Sequence, residues 1–402
     1  MTEAQAERWQ RLGELAVAGA NVQPGQVVLI SAEHGQADTV RAVTVEAYKK
    51  GAKFVDVVYF DPRVKRARIE HAAADTLEFV PEWLGASRMA HAEGHGARFA
   101  FGGTTEPNLL AGLDPERLGR DQMPRLKENV QIVAERTTNW CIVPAPHPAW
   151  AQLVFPDLLP DEAYARLWTE LEHVLRLDET DPLQAWEERM AVLKASAERV
   201  TERRFDAIHL EGPGTDLTVG LFPSGSWWSA EFHTVDGLRH FPNLPTEEIF
   251  TSPDPMRADG HVTSTKPLVL NDGTIIRGLR VKFEAGRAIE VDADEGGASF
   301  RQHLKIDDGA TRLGELALVD RQGRIGALGT TFYDTLLDEN AASHIALGSA
   351  YPFVIEDETE RTRANHSATH VDFMVGSPEL EVTGITAAGD RVPVLRGGDW
   401  QI

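Results

Sequence analysis

Between Leu183 and Val200 the apolar residues fall at alternating steps of three and four: Leu183, Trp186, Met190, Leu193, Ala197 and Val200. That spacing lays one stripe along a helix, so a helix is predicted over 183–202 with Pro182 at its start. The chain before it reads differently. Trp9, Leu12, Leu15 and Ala16 mark an amphipathic helix over 5–20, ended near Gly19 and Asn21. VVLIS (27–31) is a continuous apolar run of the kind that forms a buried strand. Helical spacing over 36–50 stops at Gly51, and FVDVVYF (54–60) is the next strand. This is a βαβ unit, and further apolar strands are expected at 97–101 and 140–143 with helices between them. The first half is therefore an α/β domain with a mainly parallel sheet. After Phe205 short alternating runs are divided by Gly, Asp and Pro turns, as in GTDLTVGL and GTIIRGLRVKFEAGRAIEV. An α+β domain rich in antiparallel strands is expected there. The boundary is placed at residue 203, giving domains 1–202 and 203–402.

The segment 365–376 reads NHSATHVDFMVG. In an extended run His370, Asp372 and Met374 share one face, and Val371, Phe373 and Val375 the other. An imidazole and a carboxylate thus leave a core-like segment in one direction. A lone buried carboxylate costs several kcal/mol or takes up a proton, and a divalent cation would relieve that cost. A simple His–Asp hydrogen bond near a sheet end is the competing reading.

Further candidates follow the same logic. Glu315 in RLGELALVD shares a face, if extended, with Leu313, Ala317 and Val319, a face that looks buried. In NLPTEEIFTSP, one of Glu247 and Glu248 shares the side of Phe250 and the other that of Ile249; taken alone, both read as surface acids. His344 in DENAASHIALGSAY lies in a run of helical composition from 338 or 340 to 347, with Gly348 as its stop. Tyr351 follows seven positions later and could reach a site built around that histidine. His91, Glu93 and His95 in HAEGHGA imitate a two-histidine metal pattern. The helical zinc-protease motif needs HExxH, and Gly94 and Gly96 weaken a helix here, so no metal is expected at that place.

Composition narrows the chemistry. The 402 residues carry 62 Asp and Glu against 40 Lys and Arg, a formal charge of -22 that repels nucleic acid and anionic membrane surfaces. Cys141 is the single cysteine, which removes a disulfide framework and thiolate metal sites and suits a reducing compartment. No signal-like leader and no apolar run of roughly 18 residues is present, so a cytoplasmic protein is expected. The turn after the first strand, SAEHGQAD, lacks GxGxxG, and no Walker A pattern occurs. What remains is two Glu, two His, one Asp and a Tyr in the second domain. Oxygen and imidazole donors without sulfur suit a pair of divalent ions such as Zn, Co or Mn.

Taken together, NLPTEEIFTSP, LGELALV, ENAASHIALGSAY and HSATHVDFMVG, in this order, resemble the motifs of the aminopeptidase T family, which includes aminopeptidase S and PepS. GPGTDLTVGL and NWCIVPAPHPAWAQLVFP extend the resemblance across both halves. It implies metal ligands at Glu248, Glu315, His344, His370 and Asp372, with Tyr351 as a catalytic side chain. It also implies two metal ions, a homodimer, and removal of N-terminal residues from peptides with a free N-terminus. On this reading residues 203–402 form the metal-binding catalytic domain, with Glu248 as the first choice for proton shuttle. Two other readings compete: another metal-dependent amide hydrolase (a dipeptidase or deacylase), and a non-catalytic metal-stabilised binding protein.

Overall fold

The computed structural model describes residues 3–121, 123–124, 126–270 and 273–402. Helix α1 (Glu3–Ala20) buries Leu12, Leu15, Ala16 and Val17. Strand β1 (Val27–Glu33), helix α2 (Ala37–Lys49) and strand β2 (Phe54–Phe60) form the expected βαβ unit. Gly51 follows α2 with φ of 90°, the left-handed turn that ends the helix. With β3 (Ala97–Gly102) and β4 (Asn139–Pro144) the strands make a four-stranded sheet in the order β2-β1-β3-β4, parallel throughout. Helix α3 (Pro182–Glu202) carries the predicted stripe, and Trp186, Met190, Leu193, Ala197 and Val200 are all buried.

The rest of the fold is antiparallel. One sheet has eight strands in the order 287–292, 280–284, 253–263, 215–221, 207–212, 381–385, 391–396 and 399–400. Two small sheets have two strands each, and another has five, whose labels are used below: β5 (Trp228–Ser229), β6 (Glu248–Thr251), β7 (Leu313–Val319), β8 (His344–Gly348) and β9 (His370–Met374). Their order is β9-β8-β7-β6-β5. β6, β7 and β8 are buried along their whole length. No helix among the described residues is long and apolar enough to cross a membrane.

Two compact units result: 1–188 with 230–246, and 189–229 with 247–402. This division departs from a single boundary at residue 203 in two places, each with a local cause. Residues 230–246 return to the first unit because they cover the outer edge of β4: Ile142 N donates to Pro242 O at 2.8 Å, and Leu244 N donates to Ile142 O at 2.9 Å. The last turns of α3 join the second unit, where Arg189 pairs with Glu247 and Asp320.

The helix expected to carry His344 is not formed. Helix stops at Thr335–Glu339, capped by the Asp334 side chain, and His344 opens strand β8. The run HIALG lies between two strands, His344 opposite Ala317 on β7 and Met374 on β9. Pairing on both sides outweighs the sequence's helical preference.

Candidate metal centre

Side chains directly opposite one another in an antiparallel ladder point to the same face of the sheet. The register therefore says which residues of the five-stranded sheet converge. Glu315 stands opposite Ala346, and Ala346 opposite Asp372. His344 stands opposite Ala317, which stands opposite Phe250, and Phe250 is two residues from Glu248. His370 is two residues from Asp372 and opposite Gly348. Glu248, Glu315, His344, His370 and Asp372 thus share one face. Between them lie Ala317, Ala346 and Gly348, small residues that leave room above the sheet.

Two backbone devices produce this alignment. The β7–β8 register shifts between Leu313 and Glu315, a bulge at Gly314. Leu313 pairs with Leu347 while Glu315 pairs with Ala346, so the two lie on opposite faces, against the expectation from simple alternation. A Cβ at Gly314 would collide with the Gly348 carbonyl oxygen, so the bulge needs glycine. Gly348 itself, at φ of 112°, turns the chain toward Tyr351 where a side chain would strike the Thr369 carbonyl oxygen.

The convergence is close. Ligand atoms of Glu248, Glu315 and His344 lie within 4.8 Å of one another, as do those of Glu315, His370 and Asp372. Glu315 belongs to both groups. His344 Nε2 is 3.1 Å from Glu248 Oε2, and His370 Nε2 is 3.1 Å from Glu315 Oε2 and 3.2 Å from Asp372 Oδ1. Each ring is oriented from behind: Nδ1 lies 3.1 Å from Ala342 O in His344 and 2.7 Å from Ser349 O in His370. A carbonyl oxygen only accepts, so Nδ1 carries the proton and a neutral ring turns its Nε2 lone pair on the carboxylates. Lone pair against carboxylate repels unless a cation lies between.

Other observations point the same way. Glu248 Oε2 and Asp372 Oδ1 are buried and face no polar partner other than the imidazole Nε2 atoms of His344 and His370. Such acceptors are costly in a protein interior. Burial disfavours the imidazolium of His344, yet Glu248, with Asp372 and Glu315 beyond it, holds that ring's pKa well above its ordinary value. His370 behaves alike, burial being outweighed by Asp372 and Glu315. A donor set of crowded carboxylates and oriented imidazoles of this kind suits a divalent ion.

Tyr351 lies at the edge of the cluster. Its ring centroid is 5.4 Å from that of His370 and 5.4 Å from that of Phe250. Burial, then Glu315 and Asp372, push the phenol well above its usual pKa, so it keeps its O–H as a donor. Trp228 stands opposite Phe250 on the same face, and Phe353 packs 5.2 Å from Trp228 and 5.7 Å from Tyr351. The face therefore has an acidic, imidazole-bearing end and an aromatic end.

The comparisons with known proteins agree with this chemistry. Residues 5–400 match the family described as thermophilic metalloprotease (M29). The chain belongs to that family. This M29 chain is 42% identical to aminopeptidase T of Thermus aquaticus, with 100% of both chains covered. It is 37% identical to aminopeptidase AmpS of Bacillus subtilis over 98% of each chain. Among solved structures, wild-type AmpT from Thermus thermophilus superposes with a TM-score of 0.89 at 40% identity, covering 98% of this chain and 99% of that one. As an M29 metalloprotease the chain is a metal-dependent peptide hydrolase.

One acidic residue of the M29 chain escaped the reading of its sequence. Glu339, the last residue of the short helix before Asn340, lies near enough to the cluster to feel the charges of Asp372 and Glu248. Its carboxyl is pushed well above the ordinary range by burial, then by Asp372 and Glu248. In the sequence it sits beside Asp338 in a polar DEN run, which reads as a solvated helix end. Only the buried Leu336 and Leu337 beside it hint that the helix is packed. The decoy residues stay apart: Glu93 and His95 are exposed, and His91 Nε2 lies 3.1 Å from Ala97 O with no carboxylate of the triplet beside it.

Proposed function

We propose that the chain is an aminopeptidase that removes N-terminal residues from peptides, using two divalent ions held by Glu248, Glu315, His344, His370 and Asp372. The observation that carries this reading is the membership of Glu315 in both three-residue groups, since one shared carboxylate is what a bridged pair of ions needs. Glu248 and His344 complete one group and His370 and Asp372 the other. A donor set of oxygen and imidazole suits Zn, Co or Mn. Ions held by these residues would lower the pKa of a bound water and polarise the scissile carbonyl.

The chain's own groups have distinct tasks. His344 and His370 stay in one tautomer because Ala342 O and Ser349 O accept from Nδ1. Tyr351 donates its O–H to the carbonyl oxygen as that oxygen gains charge. Glu248 is committed to a ligand group, so the proton carrier is Glu339, a carboxyl at the cluster outside both groups. It takes the proton of the attacking water and delivers it to the leaving amine. The acidic surroundings draw the ammonium group of a free N-terminus. A homodimer in the cytoplasm is the assembly and location that accompany this reading.

The test is a panel of peptides offered to metal-reconstituted protein, each with a free or an acetylated N-terminus. Turnover is expected for free peptides alone. Equal cleavage of acetylated peptides points to a deacylase or endopeptidase, and binding without turnover to a non-catalytic metal protein.

A further inference from the structure

Glu247 precedes the ligand-bearing Glu248 and points to the opposite side of the sheet, where it is wholly buried. Arg189 of α3 meets it there: Nε donates to Glu247 Oε2 at 2.5 Å. The same guanidinium donates to Asp320, from Nη1 to Oδ2 at 3.2 Å and from Nη2 to Oδ1 at 2.9 Å. Arg189 is 6% exposed, Glu247 0% and Asp320 1% at the side chain. Trp400 Nε1 and Gln322 N each donate to Asp320 at 2.9 Å, and Arg324 N donates to Glu247 Oε1 at 3.3 Å. One cation and two carboxylates are thus removed from water. Such an arrangement is costly, and replacing it by apolar packing is often neutral or stabilising. Stability alone is a weak reason for it to exist.

Its position offers a better one. Asp320 follows Val319, the last residue of β7, and Val319 pairs with Glu248, the first residue of β6. Arg189 therefore ties together the two chain ends that border the ladder rung carrying Glu248. On the other flank Glu247 N donates to Asn340 Oδ1 at 2.7 Å, and Asn340 Nδ2 donates to Leu336 O at 2.9 Å. Asn340 is the residue after Glu339. The Glu247–Glu248 junction and the Glu339–Asn340 junction are joined by one short hydrogen bond.

We infer that Arg189, Glu247, Asp320 and Asn340 form a positioning bracket that sets the distance between Glu248 and Glu339, touching neither ion nor substrate. The inference rests on the proposed roles of Glu248 as ligand and Glu339 as proton carrier. Loosening a bracket of this kind shifts a ligand without removing it. Outer partners of metal ligands typically contribute 10–100-fold in affinity or activity, and a misplacement of ~1 Å costs roughly 10²-fold in rate.

The experiment compares full-length wild type with Arg189→Met, Arg189→Lys and Glu247→Gln. Melting temperature, Zn affinity of the metal-free protein by chelator competition, and kcat and KM on a free peptide are read at a temperature where each variant is folded. Arg189→Met and Glu247→Gln are expected to weaken Zn binding by ~10-fold or more and lower kcat by about 10²-fold, with KM little changed. Arg189→Lys, which can still reach one carboxylate, recovers part of both losses. Should Arg189→Met fail to fold, the isosteric Glu247→Gln decides alone. A lower melting temperature with wild-type Zn affinity and kcat overturns the bracket and leaves a purely structural ion network. Wild-type protein that binds no Zn or cleaves no free peptide overturns the functional reading itself, a distinct result.

Discussion

His91–Glu93 and His370–Asp372 both place histidine and a carboxylate two residues apart, and the two pairs end in different geometries. His91 and Glu93 lie in a helix, Glu82–Glu93. Two residues along a helix turn the side chain by about 200°, so the pair diverges. His95 follows in a left-handed turn at φ of 50° and pairs with Asp236 at 2.7 Å. His370 and Asp372 lie in a strand, where the same spacing puts both on one face. The neighbouring strands then add Glu315, His344 and Glu248 to that face. Spacing acquires chemical meaning only from the backbone that carries it.

The sharpest break of this comparison is a matched pair of substitutions. Glu315→Gln removes the carboxylate common to both groups and is expected to abolish Zn binding and turnover together. Glu93→Gln is expected to leave both at wild-type values. Metal content by elemental analysis and peptide turnover check each. The reverse pattern places the site in the first unit.

Tyr351→Phe is the next largest effect. The ring contacts with Phe250, Phe353 and His370 stay in place, and only the O–H is lost. Loss of one oxyanion donor costs on the order of 10²–10³ in kcat. Metal content, melting temperature and KM are expected to hold. A parallel fall in metal content makes Tyr351 part of the coordination instead.

A smaller effect separates the two kinds of histidine. Burial, with only partial relief from Ala97 O, lowers His91 to about 4. A histidine depressed on folding contributes stability that is present above its unfolded pKa near ~6.5. That stability is lost as pH falls through that value toward the folded one, since the unfolded state binds the proton first. His91→Gln is therefore expected to flatten the decline of melting temperature between about pH 6.5 and about 4. An unchanged slope removes His91 from the account.

Much of this was legible in the sequence. The βαβ unit, the stripe of α3 and the alternation around His370 are local patterns, and local patterns survive folding when the core agrees with them. The convergence of Glu248, Glu315, His344, His370 and Asp372 on one face was anticipated through motif resemblance more than through any single residue, since Glu248 alone reads as a surface acid. Three features were not legible, each because it depends on a partner distant in sequence. His344 became a strand residue through pairing on both flanks. Glu315 changed face relative to Leu313 through a bulge that exists only against β8. Glu339 lies near the cluster, and its neighbour Asn340 accepts from Glu247 N, 93 residues away in the chain.

The central claim is that one face holds two ions through a shared Glu315. Titration of metal-free protein with Co, followed by absorbance and elemental analysis, tests it most directly when peptide turnover is read on the same samples. The account predicts two ions per chain, turnover that rises with their binding, and far-UV structure unchanged between metal-free and loaded protein. One ion at full activity, or turnover that survives exhaustive chelation, contradicts it.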